Sequence, residues 1–192
     1  MAALIYVHGF LSSPKSAKAQ ITKRWLAKNR PDIEFYCPSL SAYSELAQAK
    51  LEGLIKTLES QTVYLIGSSL GGFWSTHLIE RCSADKAVLI NPAVAPHTRF
   101  SSWVGETFQS YYSDDTYELD QTDIDKLAEL DCATLTHPEK YWLMVQTGDE
   151  TLDYRDAVQR YRACKQLVEE GGDHSFSGYQ DWLPAIIEFL EA

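Results

Sequence analysis

Six short, nearly unbroken apolar runs, spaced by longer amphipathic stretches, set the tightest limit on how this 192-residue chain can fold. They are Leu4–Val7, Ile33–Cys37, Val63–Ile66, Ala87–Ile90, Tyr141–Val145 and Gln166–Glu169. Runs this short, rich in β-branched and aromatic residues, suit strands buried on both faces, as in a parallel sheet. Each stops at turn formers: His8-Gly9, Pro38, Gly67, Asn91-Pro92, Gly148 and Gly171-Gly172. Between them lie helical periodicities. Ala17, Ile21, Trp25 and Leu26 mark one over about 16–29, and Leu46, Ala47, Leu51, Leu54, Ile55 and Leu58 mark a second. Further helices are expected just after Ser69, near Tyr154 and near Tyr179, with Pro184 expected in the first turn of the last.

Strand–helix alternation with short links implies right-handed crossovers and a doubly wound sheet of about six or seven strands, with helices on both faces. The stretch from about Val94 to Pro138 breaks this rhythm. It is acidic and aromatic, with Trp103, Phe108, Tyr111, Tyr112 and Tyr117. It is expected to run over the carboxyl ends of the strands, where ligands bind in such sheets, as a lid or a second small core. No internal domain boundary is visible, so residues 1–192 read as one domain.

Composition narrows the function classes. A formal net charge of -10 would repel a phosphate backbone, so no nucleic-acid partner is expected. No basic run suits an anionic membrane, and no basic leader or long apolar segment predicts a signal peptide or a membrane span. Cys37, Cys82, Cys132 and Cys164 are dispersed, with neither a C-x-x-C pair nor a compact zinc-binding pattern. Reduced thiols and a cytoplasmic location are expected, with no metal and no cofactor.

The sharpest chemical signal is Gly67-Ser68-Ser69-Leu70-Gly71. G-x-S-x-G is weak alone, but here it follows a predicted strand and opens a predicted helix. That is the strand–turn–helix setting of the nucleophile elbow in the three-layer α/β-hydrolase fold. Gly67 and Gly71 give the room such a turn requires. Ser69 is the candidate nucleophile; Ser68 occupies a variable position of the motif. A serine hydroxyl needs a base, and the fold's chain order is Ser, then Asp or Glu, then His. Of the five histidines only His174 follows the last predicted strand. His8, His77 and His137 read as structural or exposed, and His97 as structural or pocket-lining. Asp149, directly after the turn residue Gly148, is the first candidate for the acid. Asp153 is the alternative and Glu150 the third. By position, the N–H groups of Phe10 and Leu70 are the candidate oxyanion donors. Lys15, Lys18 and Arg99 are candidates for the mouth of the site.

These motifs resemble those of the YqiA-like bacterial esterases of the α/β-hydrolase superfamily. The resemblance rests on His8-Gly9-Phe10, Ser12-Ser13-Pro14 and Ser16-Ala17-Lys18-Ala19, then on Gly67-Ser68-Ser69-Leu70-Gly71-Gly72. It continues through Asn91-Pro92-Ala93-Val94, Gln146-Thr147-Gly148-Asp149-Glu150, Leu152-Asp153-Tyr154-Arg155 and Glu170-Gly171-Gly172-Asp173-His174. Two places depart from it: Ser175 stands where alanine is expected, and the segment around Ser101 to Asp131 has no counterpart. The resemblance implies hydrolysis of small-molecule carboxylic esters or thioesters, acyl-CoA included, without a cofactor. An acyltransferase or peptidase using the same residues, or a binding protein that retained the fold, are the alternative readings.

Overall fold

The computed structural model describes residues 2–192. Six parallel strands form the central sheet: β1 (Ala2–Val7), β2 (Ile33–Tyr36), β3 (Thr62–Ser68), β4 (Lys86–Ile90), β7 (Tyr141–Gln146) and β8 (Lys165–Glu169). Their spatial order is β2-β1-β3-β4-β7-β8. Every one of the six apolar runs forms a strand of this sheet.

Alternation along each strand sends side chains to two separate cores. Ile5, Leu65, Leu89 and Leu143 face one layer, built by α2 (Ser44–Thr57) and α3 (Leu70–Arg81). Leu4, Ile66, Val88 and Met144 face the other, built by α1 (Ala17–Asn29) and α7 (Tyr179–Glu191). The two helices of the second layer are joined by a buried polar contact. Thr22 donates to the Lys18 carbonyl at 2.8 Å, which leaves its oxygen to accept from the Tyr179 hydroxyl at 2.7 Å. The short helix α6 (Tyr154–Arg160) links β7 to β8.

Pro184 lies deeper than expected. Helix α7 begins at Tyr179, so the proline sits in its second turn and removes one internal hydrogen bond. Gly178 precedes the helix in a left-handed conformation and brings the start forward.

Residues 94–138 hold more regular structure than their composition suggests. They contain α4 (Pro96–Phe100), a single 3-10 turn at Ser101–Trp103 and an antiparallel hairpin, β5 (Thr107–Gln109) with β6 (Thr116–Glu118). Helix α5 (Gln121–Leu130) follows, its first turn capped by Asp120, which accepts from the Asp123 N–H at 2.9 Å. Tyr117, Ile124, Leu127 and Leu130 join the first core, while Phe100 and Trp103 stack at 5.2 Å beside Phe10. The segment thus extends the first core, and among the described residues forms no second core of its own.

No helix among the described residues is long and apolar enough to cross a membrane.

Candidate active site

Strand register brings the site together. Val7 pairs with Gly67, Ser68 with Ile90, and Ile90 with Met144, so the chains leaving β1, β3, β4 and β7 emerge side by side. β1 has β2 on one side and β3 on the other, so the order reverses there and a crevice opens at the carboxyl edge.

Ser69 occupies the turn between β3 and α3 with φ 56° and ψ -124°, a conformation that costs energy for any residue with a side chain. The surrounding backbone holds it there. Its N–H donates to the Ile90 carbonyl at 3.1 Å, and its own carbonyl accepts from Gly72 and Ala93 at 2.8 and 3.0 Å. Glycine is required at both flanks of this turn. A Cβ on Gly71 would overlap the Val7 carbonyl, and one on Gly67 would overlap the Gly71 carbonyl and Ser75 Oγ.

His174 reaches Ser69 from the loop after β8. Its Nε2 lies 3.1 Å from Ser69 Oγ, and its Nδ1 lies 2.8 Å from Asp149 Oδ2. A carboxylate can only accept, so Nδ1 carries the proton and Nε2 is left to accept from the serine hydroxyl. Asp149 Oδ1 also accepts from the N–H groups of Thr151 and Leu152, each at 2.8 Å. Burial pushes this carboxyl up, but the bonds from His174, Leu152 and Thr151 outweigh it and hold it below the usual carboxylate range. Its side chain is 2% exposed, shielded behind the imidazole.

The other candidate acids are used elsewhere. Asp153 caps α6 and pairs with Arg155 on the surface. Glu150 accepts from the His174 backbone N–H at 3.0 Å and so orients the loop, not the ring. Phe10 and Leu70 both line the cavity beside Ser69, and among the described residues neither of their N–H groups donates a turn or loop hydrogen bond to a backbone carbonyl.

Three residues outside the hydrogen-bonded chain hold this arrangement: His8, expected to be structural or exposed, and Asn91 and Gln146, for which the sequence suggests no role. His8 is buried; its Nε2 accepts from the Leu40 N–H at 3.1 Å, so its Nδ1–H donates to the Gly9 carbonyl at 3.0 Å. That carbonyl belongs to the same rigid peptide unit as the Phe10 N–H. Asn91, at the end of β4, donates to the carbonyls of Asp173 and His174 at 3.0 and 3.1 Å and accepts from the Gln146 N–H at 3.0 Å. The Gln146 side chain accepts from the N–H groups of Asp173 and Ser177 and donates to the Ser177 carbonyl. An amide directly after a strand was the available signal, but its targets follow only from the fold.

The cavity measures about 430 Å³ and is walled by Phe10, Phe100, Trp103, Tyr111, Tyr112 and Leu152. Lys18 and Arg99 line it as expected. Lys15 instead lines a neighbouring groove of about 550 Å³, beside Ser13 and Asp115, because it points outward ahead of α1. His97 lies outside the cavity lining, one residue past Pro96. His77 is buried in α3 against Glu52, with Cys82 nearby, and His137 is paired with Glu139 at the surface. All four cysteines are free. Burial pushes the thiols of Cys37 and Cys164 up to about 12 and about 11, which disfavours their thiolate forms.

A sequence profile of the uncharacterised protein family UPF0227 matches residues 3–191. The fold is shared with solved α/β-hydrolase structures of low sequence identity. Mouse α/β-hydrolase domain-containing protein 10 is 15% identical, aligning over 98% of this chain and 89% of that one with a TM-score of 0.73. Est1E from Butyrivibrio proteoclasticus is 14% identical over 99% and 87%, with a TM-score of 0.75. The monoacylglycerol lipase of Paleococcus ferrophilus is 14% identical over 98% and 93%, with a TM-score of 0.70. A compact α/β-hydrolase in architecture, this chain belongs to family UPF0227.

Proposed function

We propose that this protein is a serine hydrolase that cleaves carboxylic esters or thioesters through an acyl-enzyme. The observation that carries the reading is the continuous chain of hydrogen bonds from Asp149 through His174 to Ser69 Oγ. In the first step Ser69 Oγ attacks the carbonyl carbon as its proton passes to His174 Nε2. The negative charge that develops on the carbonyl oxygen is met by the N–H groups of Phe10 and Leu70. Asp149 stabilises the imidazolium by accepting its Nδ1–H. His174 then gives its proton to the departing alcohol or thiol. In the second step it removes a proton from water, which attacks the acyl-enzyme and frees the acid and Ser69. None of these steps calls on a metal or an organic cofactor.

The aromatic residues of 94–138 would act as a wall and lid for the apolar part of the substrate, within a single domain. A reducing, cytoplasmic compartment suits the four free thiols.

Steady-state hydrolysis of 4-nitrophenyl butyrate tests the proposal. Wild type should turn it over, and Ser69→Ala and His174→Ala should lose at least about 10³-fold of that activity while remaining folded. Equal activity in wild type and Ser69→Ala would refute the reading. Product analysis with a competing alcohol present separates hydrolysis from acyl transfer: a hydrolase yields mainly the free acid, an acyltransferase mainly the new ester.

A further inference from the structure

The charge around the cavity runs opposite to that of the molecule. The chain carries 27 acidic against 17 basic side chains, yet no Asp or Glu among the described residues lines the cavity beside Ser69. The charged side chains that do line it, apart from the imidazoles of His8 and His174, are Lys18 and Arg99. Asp149 is screened behind His174, and Asp173, the carboxylate that acts most on the Lys18 ammonium, lies outside the lining.

Both cations have donors to spare. An ammonium has three and a guanidinium five. Among the described residues Lys18 Nζ makes one hydrogen bond, to the Ser175 carbonyl at 2.8 Å. Arg99 makes one, from Nη1 to the Thr151 carbonyl, while its guanidinium lies 5.4 Å from the Trp103 ring centre. Each cation is thereby fixed to a loop that carries a residue of the hydrogen-bonded chain: Ser175 follows His174, and Thr151 lies two residues past Asp149. Burial draws the Lys18 ammonium down to about 8, with Asp173 and Asp149 opposing the fall, so it is mostly charged at neutral pH. A neutral ester would leave these donors and their charge to water, since Arg99 is exposed and Lys18 half-buried. An ester bearing a carboxylate or phosphate would fill the apolar wall and satisfy the cations together. In a molecule of net charge -10, a local positive site is also what allows such a substrate to approach.

We infer that the preferred substrate is an anionic ester, carrying a carboxylate or phosphate that Lys18 and Arg99 bind while the ester carbonyl lies at Ser69. The inference rests on the esterase reading above, and its test is arranged so that the two can fail separately.

Two matched pairs of esters place the charge on either side of the reacting bond. Mono-4-nitrophenyl succinate against 4-nitrophenyl butyrate puts it on the acyl side. 4-Carboxyphenyl butyrate against its methyl ester puts it on the leaving group. The anionic member of at least one pair should be favoured in kcat/KM by about tenfold, the scale of one charge-assisted hydrogen bond. That ratio should collapse toward one in Lys18→Met and Arg99→Met, recover in Lys18→Arg, and persist in Lys15→Met, which removes the same charge from the neighbouring groove. If esters are hydrolysed by a Ser69-dependent route but the anionic member is favoured in neither pair, or if the preference survives both methionine variants, this inference is wrong and the esterase reading stands. If no ester is hydrolysed, the esterase reading falls and this inference falls with it.

Discussion

The side-chain amide of Asn91 binds the carbonyl of His174 at 3.1 Å and that of Asp173 at 3.0 Å, so the end of β4 fixes the loop that carries the imidazole. Its oxygen accepts from the Gln146 N–H at the end of β7. One side chain therefore ties the histidine loop to the strand that leads to Asp149. Asn91 has φ 42°, a region where asparagine and aspartate are better tolerated than most residues. Asn91→Asp keeps that tolerance and the acceptor but sets a carboxylate against two carbonyls. We expect kcat to fall by about 10–100-fold through misplacement of His174, with KM changed far less. Steady-state kinetics on a folded variant checks this; an unchanged kcat would remove Asn91 from the account.

Asp149 and Asp153 are separated by mutation. Asp149→Asn should lower kcat by about 10⁴-fold, since the amide cannot hold His174 in the tautomer the reaction needs. Asp153→Asn should retain activity within a few-fold, because that carboxylate caps α6 and pairs with Arg155. Comparable losses in both variants would contradict the assignment of roles.

The elbow has no room for a methyl group. Gly71→Ala should destabilise the protein by about 1–3 kcal/mol or more, since the clash is with the β1 backbone, which cannot swing aside. Urea unfolding measures the loss. A stability equal to wild type would mean that the β1–α3 approach is looser than described.

His8 predicts an acid-sensitive fold. Burial disfavours its imidazolium in the folded state, so the unfolded chain takes up that proton first as pH falls. Stability from this group is therefore fully present above the ordinary imidazole value of about 6.5 and is lost as pH drops below it. His8→Asn, which cannot titrate, should show a shallower fall in Tm between pH 7 and 5 than wild type. Parallel curves would argue that His8 does not stay neutral.

The parts of the fold that were legible in the sequence share one physical cause. β1, β3, β4 and β7 are almost wholly buried, so their residues had to be apolar on both faces, and that pattern stands out without a structure. The β5–β6 hairpin is different: only Phe108 and Tyr117 turn inward, and two three-residue strands are too short for periodicity to register. Helix α5 did carry a signal, Asp120 followed three residues later by Asp123, hidden in an acidic stretch. Ser69, Asp149 and His174 could be nominated because each sits at a fixed offset from a strand end. Asn91 and Gln146 could not, because what their side chains bind is backbone from a loop distant in sequence, and the role of His8 depends on Leu40, on a separate loop.

The most direct test of the central claim, that Ser69 is an activated nucleophile, is the intact mass of the protein after treatment with a fluorophosphonate. The account predicts one adduct per chain on wild type, none on Ser69→Ala and slowed labelling of Asp149→Asn. A folded wild type that stays unlabelled, or an Ser69→Ala variant that labels equally, would contradict it.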